Sequence, residues 1–354
     1  MKNMLVTGGY GFIGTNFIQY LLEESDYGGR IINVDNLTYA ANPQNLAHLA
    51  RRFSDRYVFI HANICSRETM AEVFDRFHID TICHFAAESH VDRSIVQPDA
   101  FMHTNILGTF TLLELARERK ARIELFHHIS TDEVFGSLGD EGYFDEQTAY
   151  KPNSPYSASK AASDHLVRAY HTTYGIPVTI STCSNNYGPY QFPEKLIPLM
   201  IINARDYKPL PVYGDGRNVR DWLFVLDHCT AIWRIMKQGK RGETYAIGGN
   251  NELENIALVE MICDIVDERK RETARGPRQE LITFVADRPG HDRRYAIDAT
   301  KIRTHLNWKP MESFQTGIRK TVTWYLENRQ WIDHIQSGEY QRWIETNYTR
   351  RGEV

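Results

Sequence analysis

An α/β fold built on a doubly wound parallel sheet is predicted by three features of this sequence. Apolar runs rich in Val, Ile and Leu recur at 4–6, 31–34, 57–60, 81–85, 125–130 and 178–182. Amphipathic stretches at 16–24, 67–77, 104–120 and 158–174 lie between them. A glycine-rich turn follows the first run. Continuous rather than alternating hydrophobicity suits strands covered on both faces, and strand–helix alternation is the pattern of crossover units.

The first run leads into Gly8-Gly9-Tyr10-Gly11-Phe12-Ile13-Gly14, which opens the first helix. Residues 9–14 satisfy G-x-G-x-x-G in the strand-to-helix context that gives the motif meaning, and Gly8 adds a G-x-x-G-x-x-G spacing. A turn without Cβ atoms lets a pyrophosphate approach backbone N–H groups at a positive helix terminus. Gly8, Gly11 and Gly14 are therefore candidate cofactor residues, and the sheet is expected to be of Rossmann type. Asp35 ends the second run. A carboxylate there accepts from ribose hydroxyls and repels a 2′-phosphate, which favours NAD over NADP.

Where the fifth run ends, Thr131, Asp132 and Glu133 stand in a row. Further on, Tyr156 and Lys160 are four apart on an expected helix, so they share a face, roughly 6 Å apart along its axis. A hydroxyl, a phenol and a lysine around one alcohol make a proton-relay and hydride-transfer site. Two added carboxylates extend that chemistry to elimination. If a sugar is oxidised at C4, the ketone acidifies the C5 proton. Glu133 can then remove that proton while a protonated Asp132 gives its own to the departing C6 hydroxyl. Return of hydride to C6 makes the cycle redox-neutral. Adjacent side chains on a regular strand point to opposite faces, so this reading demands a bend at the strand's carboxyl end.

Beyond about residue 184 the texture changes to proline- and glycine-punctuated loops at 187–198, 208–216 and 275–292. The expected division is an NAD-binding domain at 1–184 and a smaller C-terminal substrate-binding lobe at 185–354. Within the lobe, 222–249 is regular enough to return to the main sheet. At 354 residues, with 42% hydrophobic and 24% charged residues and a net charge of -4, the chain is globular and not a generally basic nucleic-acid binder. Any anionic ligand must meet local arginines. The N-terminal apolar run is too short for a signal peptide and no stretch reaches membrane-spanning length. Cys65, Cys83, Cys183, Cys229 and Cys263 show neither a C-x-x-C pair nor metal-ligand spacing, so free thiols in the cytoplasm and no metal are expected.

These motifs resemble those of the extended short-chain dehydrogenase/reductases, and within them the dTDP-glucose 4,6-dehydratase family. The likeness runs over nearly the whole chain. It includes Val34-Asp35-Asn36-Leu37-Thr38-Tyr39-Ala40, His84-Phe85-Ala86-Ala87-Glu88-Ser89-His90, Thr131-Asp132-Glu133-Val134 and the 156–160 pair. It continues through Asn185-Asn186-Tyr187-Gly188-Pro189-Tyr190, Phe192-Pro193-Glu194-Lys195-Leu196, Asn218-Val219-Arg220-Asp221-Trp222 and residues 287–295. The resemblance implies that Phe12, Ile13, Asp35, Asn36, Leu37, Thr38, Phe85, Ala86, Ala87, Thr104, Tyr156, Lys160 and Asn186 contact NAD. It also implies that Ser89, Thr131, Asn185, Lys195, Leu196, Pro211, Val212, Tyr213, Arg220, Asn255, Asp287, Arg288 and His291 face a nucleotide-sugar, dTDP-glucose. Arg220 and the cluster of Arg288, His291, Arg293 and Arg294 can meet its diphosphate.

One departure is Asn63-Ile64, where the family carries Asp-Ile at the adenine; asparagine retains hydrogen-bonding capacity there. Family membership further implies a homodimer joined through two helices per subunit, 104–120 and 158–174, and a place in deoxysugar biosynthesis, such as a route to rhamnose. Rival readings are a nucleotide-sugar 4-epimerase or decarboxylase, which does not need Asp132 and Glu133, and a dehydratase of another nucleotide-sugar. An NAD-sensing regulatory protein is a more distant one, since it would not need Tyr156 and Lys160.

Overall fold

A computed structural model describes residues 1–270, 275–287 and 289–335. Its strands are β1 (Asn3–Thr7), β2 (Arg30–Asp35), β3 (Tyr57–His61), β4 (Thr81–His84), β5 (Leu125–Thr131), β6 (Val178–Cys183), β7 (Asn185–Tyr187), β8 (Leu210–Tyr213), β9 (Val219–Phe224), β10 (Thr244–Ile247), β11 (Glu252–Glu254) and β12 (Ile282–Val285). Seven of them form one parallel sheet in the order β10-β6-β5-β4-β1-β2-β3. The order reverses between β1 and β4, the switch point of a doubly wound fold, where a ligand crevice opens.

The central strands are continuous apolar runs because both faces are covered: Met4, Leu5 and Val6 have no exposed surface. β5 is buried along its whole length although it carries two histidines, a serine and a threonine. The His127 ring is paired within the sheet. His127 Nδ1 lies 2.8 Å from Thr179 Oγ1 and Nε2 lies 3.1 Å from Ser181 Oγ, both on β6.

Two helices position the site. The helix Phe12–Glu23 starts with Gly11 as its N-cap. Pro155–Tyr174 starts three residues earlier than the apolar periodicity implies, because Ser154 caps it reciprocally with Ser157 and Pro155 supplies a preset first turn. Gly175, at φ 66°, ends it in the left-handed conformation. The expected helix at 104–120 is π-helical over Met102–Gly108 and α-helical over Thr109–Glu118.

After β6 the chain leaves the main sheet at Ser184 and enters β7, which pairs with β9 in the small sheet β11-β9-β7. β8 and β12 form a parallel pair. Helices Leu196–Arg205, Asn255–Arg269 and Phe314–Glu327 cover these sheets around a separate core that includes Met200, Ile201, Leu258, Ile262, Phe314 and Ile318. Within 222–249, the helix Val225–Gln238 packs on Phe12–Glu23 and β10 adds the seventh strand to the main sheet. Residues 222–224 belong instead to β9 of the small sheet.

Candidate active site

One cleft, of about 320 Å³, runs along the carboxyl ends of the main strands and under the lobe. Its floor begins at the glycine turn. Gly8, at φ +71°, donates from its N–H to Val34 O at 2.8 Å, and a Cβ on it would lie 2.8 Å from the Ala86 backbone. A Cβ on Gly14 would stand 2.4 Å from Gly8 O. The helix can pack this closely on the turn only without those carbons, and that closeness leaves its N-terminal N–H groups facing the cleft. This is the cradle a dinucleotide pyrophosphate needs.

Asp35 closes β2 with its carboxylate accepting from Tyr10 N at 2.9 Å and Leu37 N at 2.8 Å. Burial raises its proton affinity and those two N–H donors oppose the rise. Replacing Asp35 with Ala removes the acceptor a ribose would use and the charge that repels a 2′-phosphate. NAD affinity is expected to fall about tenfold, one charge-assisted bond's worth, and discrimination against NADP to narrow, read by calorimetry with both nucleotides.

The cleft wall brings together most of the residues expected around a cofactor: Gly8, Gly11, Phe12, Ile13, Gly14, Asp35, Asn36, Thr38, Asn63, Ile64, Phe85, Ala86, Ala87, Thr104, Tyr156, Lys160 and Asn186. Leu37 is not among them; its backbone is left-handed, at φ 53°, and its side chain is exposed. Asn63 folds its Oδ1 back onto Cys65 N at 2.9 Å, so its amide nitrogen is the atom left to meet a ligand.

Thr131, Asp132 and Glu133 occupy the middle of the same wall. β5 ends at Thr131 and a 3₁₀ turn, Asp132–Phe135, begins at once, with Thr131 Oγ1 accepting from Glu133 N at 3.4 Å. This change of backbone path puts consecutive carboxylates on one cavity. Asp132 is 2% exposed. Burial, then the charge of Glu133, push its proton affinity well above the usual carboxylate range, which favours the protonated form. Thr131 Oγ1 lies 3.4 Å from Asp132 Oδ1, and Asp132 Oδ2 has no hydrogen-bond partner among the described residues. A buried carboxylic acid with a free oxygen beside a second carboxylate is an acid and base poised at one place.

Tyr156 and Lys160 project into this cleft from the first two turns of their helix. Burial, then Glu133, raise the Tyr156 phenol well above 10, while a hydrogen bond with Thr131 opposes the rise. Lys160 Nζ donates to Ile129 O at 2.7 Å and lies 3.4 Å from His128 Nε2, and burial pushes it down to about 8. The ammonium is held against β5, so the phenolate needs a further positive charge next to it, which a cationic nicotinamide would supply.

Residues expected to face a sugar nucleotide divide into two groups. Ser89, Thr131, Asn185 and Lys195 line the cleft, with Lys195 Nζ donating to Ser89 O at 3.0 Å. The others lie in the lobe beyond that wall. Arg220 is buried, donates to Asp292 O at 2.9 Å and stacks 4.3 Å from the Tyr295 ring centre. Tyr213 donates its hydroxyl to Asp92 Oδ2 at 3.1 Å, and His291 Nδ1 is 2.6 Å from Asp287 Oδ1. Asn255 starts a helix, and its side-chain oxygen is buried without a hydrogen-bond partner among the described residues.

Val212 turns its side chain into the lobe core, Leu196 packs against that core while staying partly exposed, and Pro211 pairs with Thr283 in the β8–β12 ladder. Arg293 and Arg294 are tied to Asp215 and Glu252, at 3.0 and 2.8 Å, so the expected cationic cluster is partly neutralised. Arg288 lies outside the described residues. Sequence reasoning does not single out Glu194, which is buried in the cleft wall with both Arg93 donors on its Oε2 at 3.1 Å. Its only signal is its place next to Lys195 in a quoted motif.

The sequence profile of the family described as GDP-mannose 4,6 dehydratase matches residues 5–321. The dTDP-glucose 4,6-dehydratase 1 of Escherichia coli (strain K12) is 54% identical over 366 aligned positions, covering 98% of this chain and 99% of its own length. A probable dTDP-glucose 4,6-dehydratase of Sinorhizobium fredii is also 54% identical, with 95% and 97% covered. Among solved structures, the dTDP-glucose 4,6-dehydratase of Streptomyces venezuelae, with NAD and TYD bound, has a TM-score of 0.87 at 44% identity, over 94% of this chain and 100% of its own. The UDP-glucose 4-epimerase of Thermotoga maritima shares the architecture at a TM-score of 0.82, with 27% identity over 92% and 99% of the two chains. Among the described residues, no helix is long and apolar enough to cross a membrane.

Proposed function

The chain belongs to the family described as GDP-mannose 4,6 dehydratase, and from that premise we propose that it acts as a dTDP-glucose 4,6-dehydratase with NAD as its cofactor. NAD held at the glycine turn and Asp35 would supply the hydride acceptor for C4 of the sugar and the hydride donor for C6. The chain's own residues move the protons. Thr131 orients the C4 hydroxyl and Tyr156, as phenolate, accepts its proton. Glu133 takes the C5 proton made acidic by the C4 ketone, and Asp132 gives its proton to the C6 hydroxyl, which leaves as water. Glu133 then returns a proton to C5, giving dTDP-4-keto-6-deoxy-glucose. The single observation that carries this reading is Asp132, buried and with Oδ2 unpartnered among the described residues, beside Glu133 in one cavity with Tyr156 and Lys160. A 4-epimerase has no task for that acid.

The test offers dTDP-glucose and UDP-glucose side by side and follows both by mass spectrometry. A dTDP product lighter by one water is expected, with UDP-glucose turned over more slowly. An unchanged mass, or a C4 epimer, refutes the reading.

A homodimer belongs to the same proposal. Ile95, Val96, Leu107 and Phe110 are exposed on and beside the expected dimer helices, and exposed apolar side chains there favour a partner. Sedimentation is expected to give the mass of two chains; a one-chain mass sinks this part. The cytoplasm is the compartment this reading implies, supported by five unpaired cysteines. Recovery from a membrane or secreted fraction would overturn it.

A further inference from the structure

Four residues beyond Lys160, on the same face of the Pro155–Tyr174 helix, stands Asp164. Its side chain is 0% exposed. A carboxylate in a dry interior is costly unless paired, so its partners indicate what it is for. Oδ2 accepts from Ser130 Oγ at 2.6 Å and from the Tyr150 hydroxyl at 2.7 Å. Oδ1 lies 3.2 Å from His128 Nε2, the same nitrogen that lies 3.4 Å from Lys160 Nζ. Beyond Tyr150, Arg168 Nη2 donates to the phenol oxygen at 2.6 Å.

This chain of contacts does not carry protons through the histidine. Burial pushes His128 down to about 4, so the ring is neutral. Asp164 Oδ1 has no hydrogen-bond partner among the described residues, so it acts on the ring and on Lys160 through its charge. Both neighbours meet that one nitrogen, and Nδ1 is buried without a hydrogen-bond partner among the described residues. Burial alone would raise the proton affinity of Asp164, but His128, Lys160 and Ser130 outweigh it and keep the carboxylate ionised. A fixed negative charge thus sits one imidazole nitrogen away from a lysine that has been stripped of water.

We propose that Asp164 is a positioning residue for the Tyr156/Lys160 pair: its buried carboxylate, packed beside His128, holds Lys160 as an ammonium against Ile129 O. The proposal rests on the reading of that pair as the hydride-transfer site. The other groups facing Asp164 and Lys160 are consistent with this role. His128 and Ser130 come from β5, His84 from β4, Cys183 from β6, Tyr150 from the preceding loop and Arg168 from the same helix. Burial keeps His84 neutral and raises the Cys183 thiol. Asp164 is therefore the anion among them, and it is the first group to raise the proton affinity of Lys160 against burial.

The test titrates the Tyr156 phenolate by ultraviolet absorbance in protein saturated with NAD+, with the Tyr156→Phe protein as the blank. No sugar is needed, so the outcome is separable from failure of the dehydratase reading. An ammonium favours the phenolate, so its loss raises the tyrosine transition. Asp164→Asn is expected to move the transition up by on the order of one pH unit, and Asp164→Glu to return it toward the original value. Tyr150→Phe removes one of the two hydroxyl donors from a half-buried position and is expected to move the transition the same way by less. A transition unmoved in Asp164→Asn overturns the proposal, and where that protein does not fold, an unmoved transition in Tyr150→Phe does so.

Discussion

Asp132→Asn is expected to leave the first oxidation almost intact and to slow loss of water by about 10²- to 10⁴-fold, the usual worth of a positioned general acid. The substitution is unusually clean here. Burial and the charge of Glu133 favour the neutral form of Asp132 in the folded protein. Asparagine reproduces its size, its lack of charge and its capacity to donate, so the field on Tyr156 and the packing around the turn are retained. Only the transferable proton is removed. Mixing the variant with substrate and following NADH absorbance in a single turnover should show a normal rise followed by a stalled decay. If the rise itself is the impaired phase, Asp132 is not the acid.

The same residues show how much of the molecule could be read from its sequence. β5 was legible from Leu125, Phe126 and Ile129, although His127, His128 and Ser130 interrupt its apolar run, and the bend after it because two adjacent carboxylates cannot otherwise share a cavity. The glycine turn and Asp35 were legible for a different reason: a residue without Cβ is required where Gly14 meets Gly8 O, and a carboxylate ending β2 accepts from Tyr10 N in that turn. The start of the Tyr156 helix was placed late because Ser154 and Pro155 interrupt the apolar period while they cap it. The π-helical turns at Met102–Gly108 leave no distinct mark in a pattern read at 3.6 residues per turn.

The lobe was harder for a physical reason. β8 finds its partner in β12, pairing Leu210 with Ile282, and neither short strand announces the other. Resemblance could point to Val212 and Leu196 as neighbours of a nucleotide, but not to which of their atoms face it; the Val212 side chain lies in the core and that of Leu196 packs against it. Asp164 escaped notice for the opposite reason. In sequence, it is a charged residue on a long helix, which usually means solvent, and only the packing of β5 against that helix makes it a buried partner of Lys160.

Glu133→Gln is expected to act in two directions at once. Removing the base should abolish exchange of the C5 proton and cut turnover by about 10²- to 10⁴-fold. The lost charge should simultaneously ease oxidation at low pH. Glu133 raises the proton affinity of Tyr156, since a nearby carboxylate opposes a phenolate. Without it, the phenolate forms at lower pH, and the acid limb of NADH formation should move down by on the order of one pH unit. Glu133 is also the second cause of the raised Asp132, so the acid should become somewhat stronger in the variant. A residue that merely shaped the pocket would slow both phases and leave the limb in place. Incubation with dTDP-glucose in deuterated water, with product analysed by NMR and NADH formation followed across pH, reads both effects. Undiminished exchange at C5 would remove Glu133 from its role as base, and an acid limb that stays put or moves upward would show that its charge does not govern Tyr156.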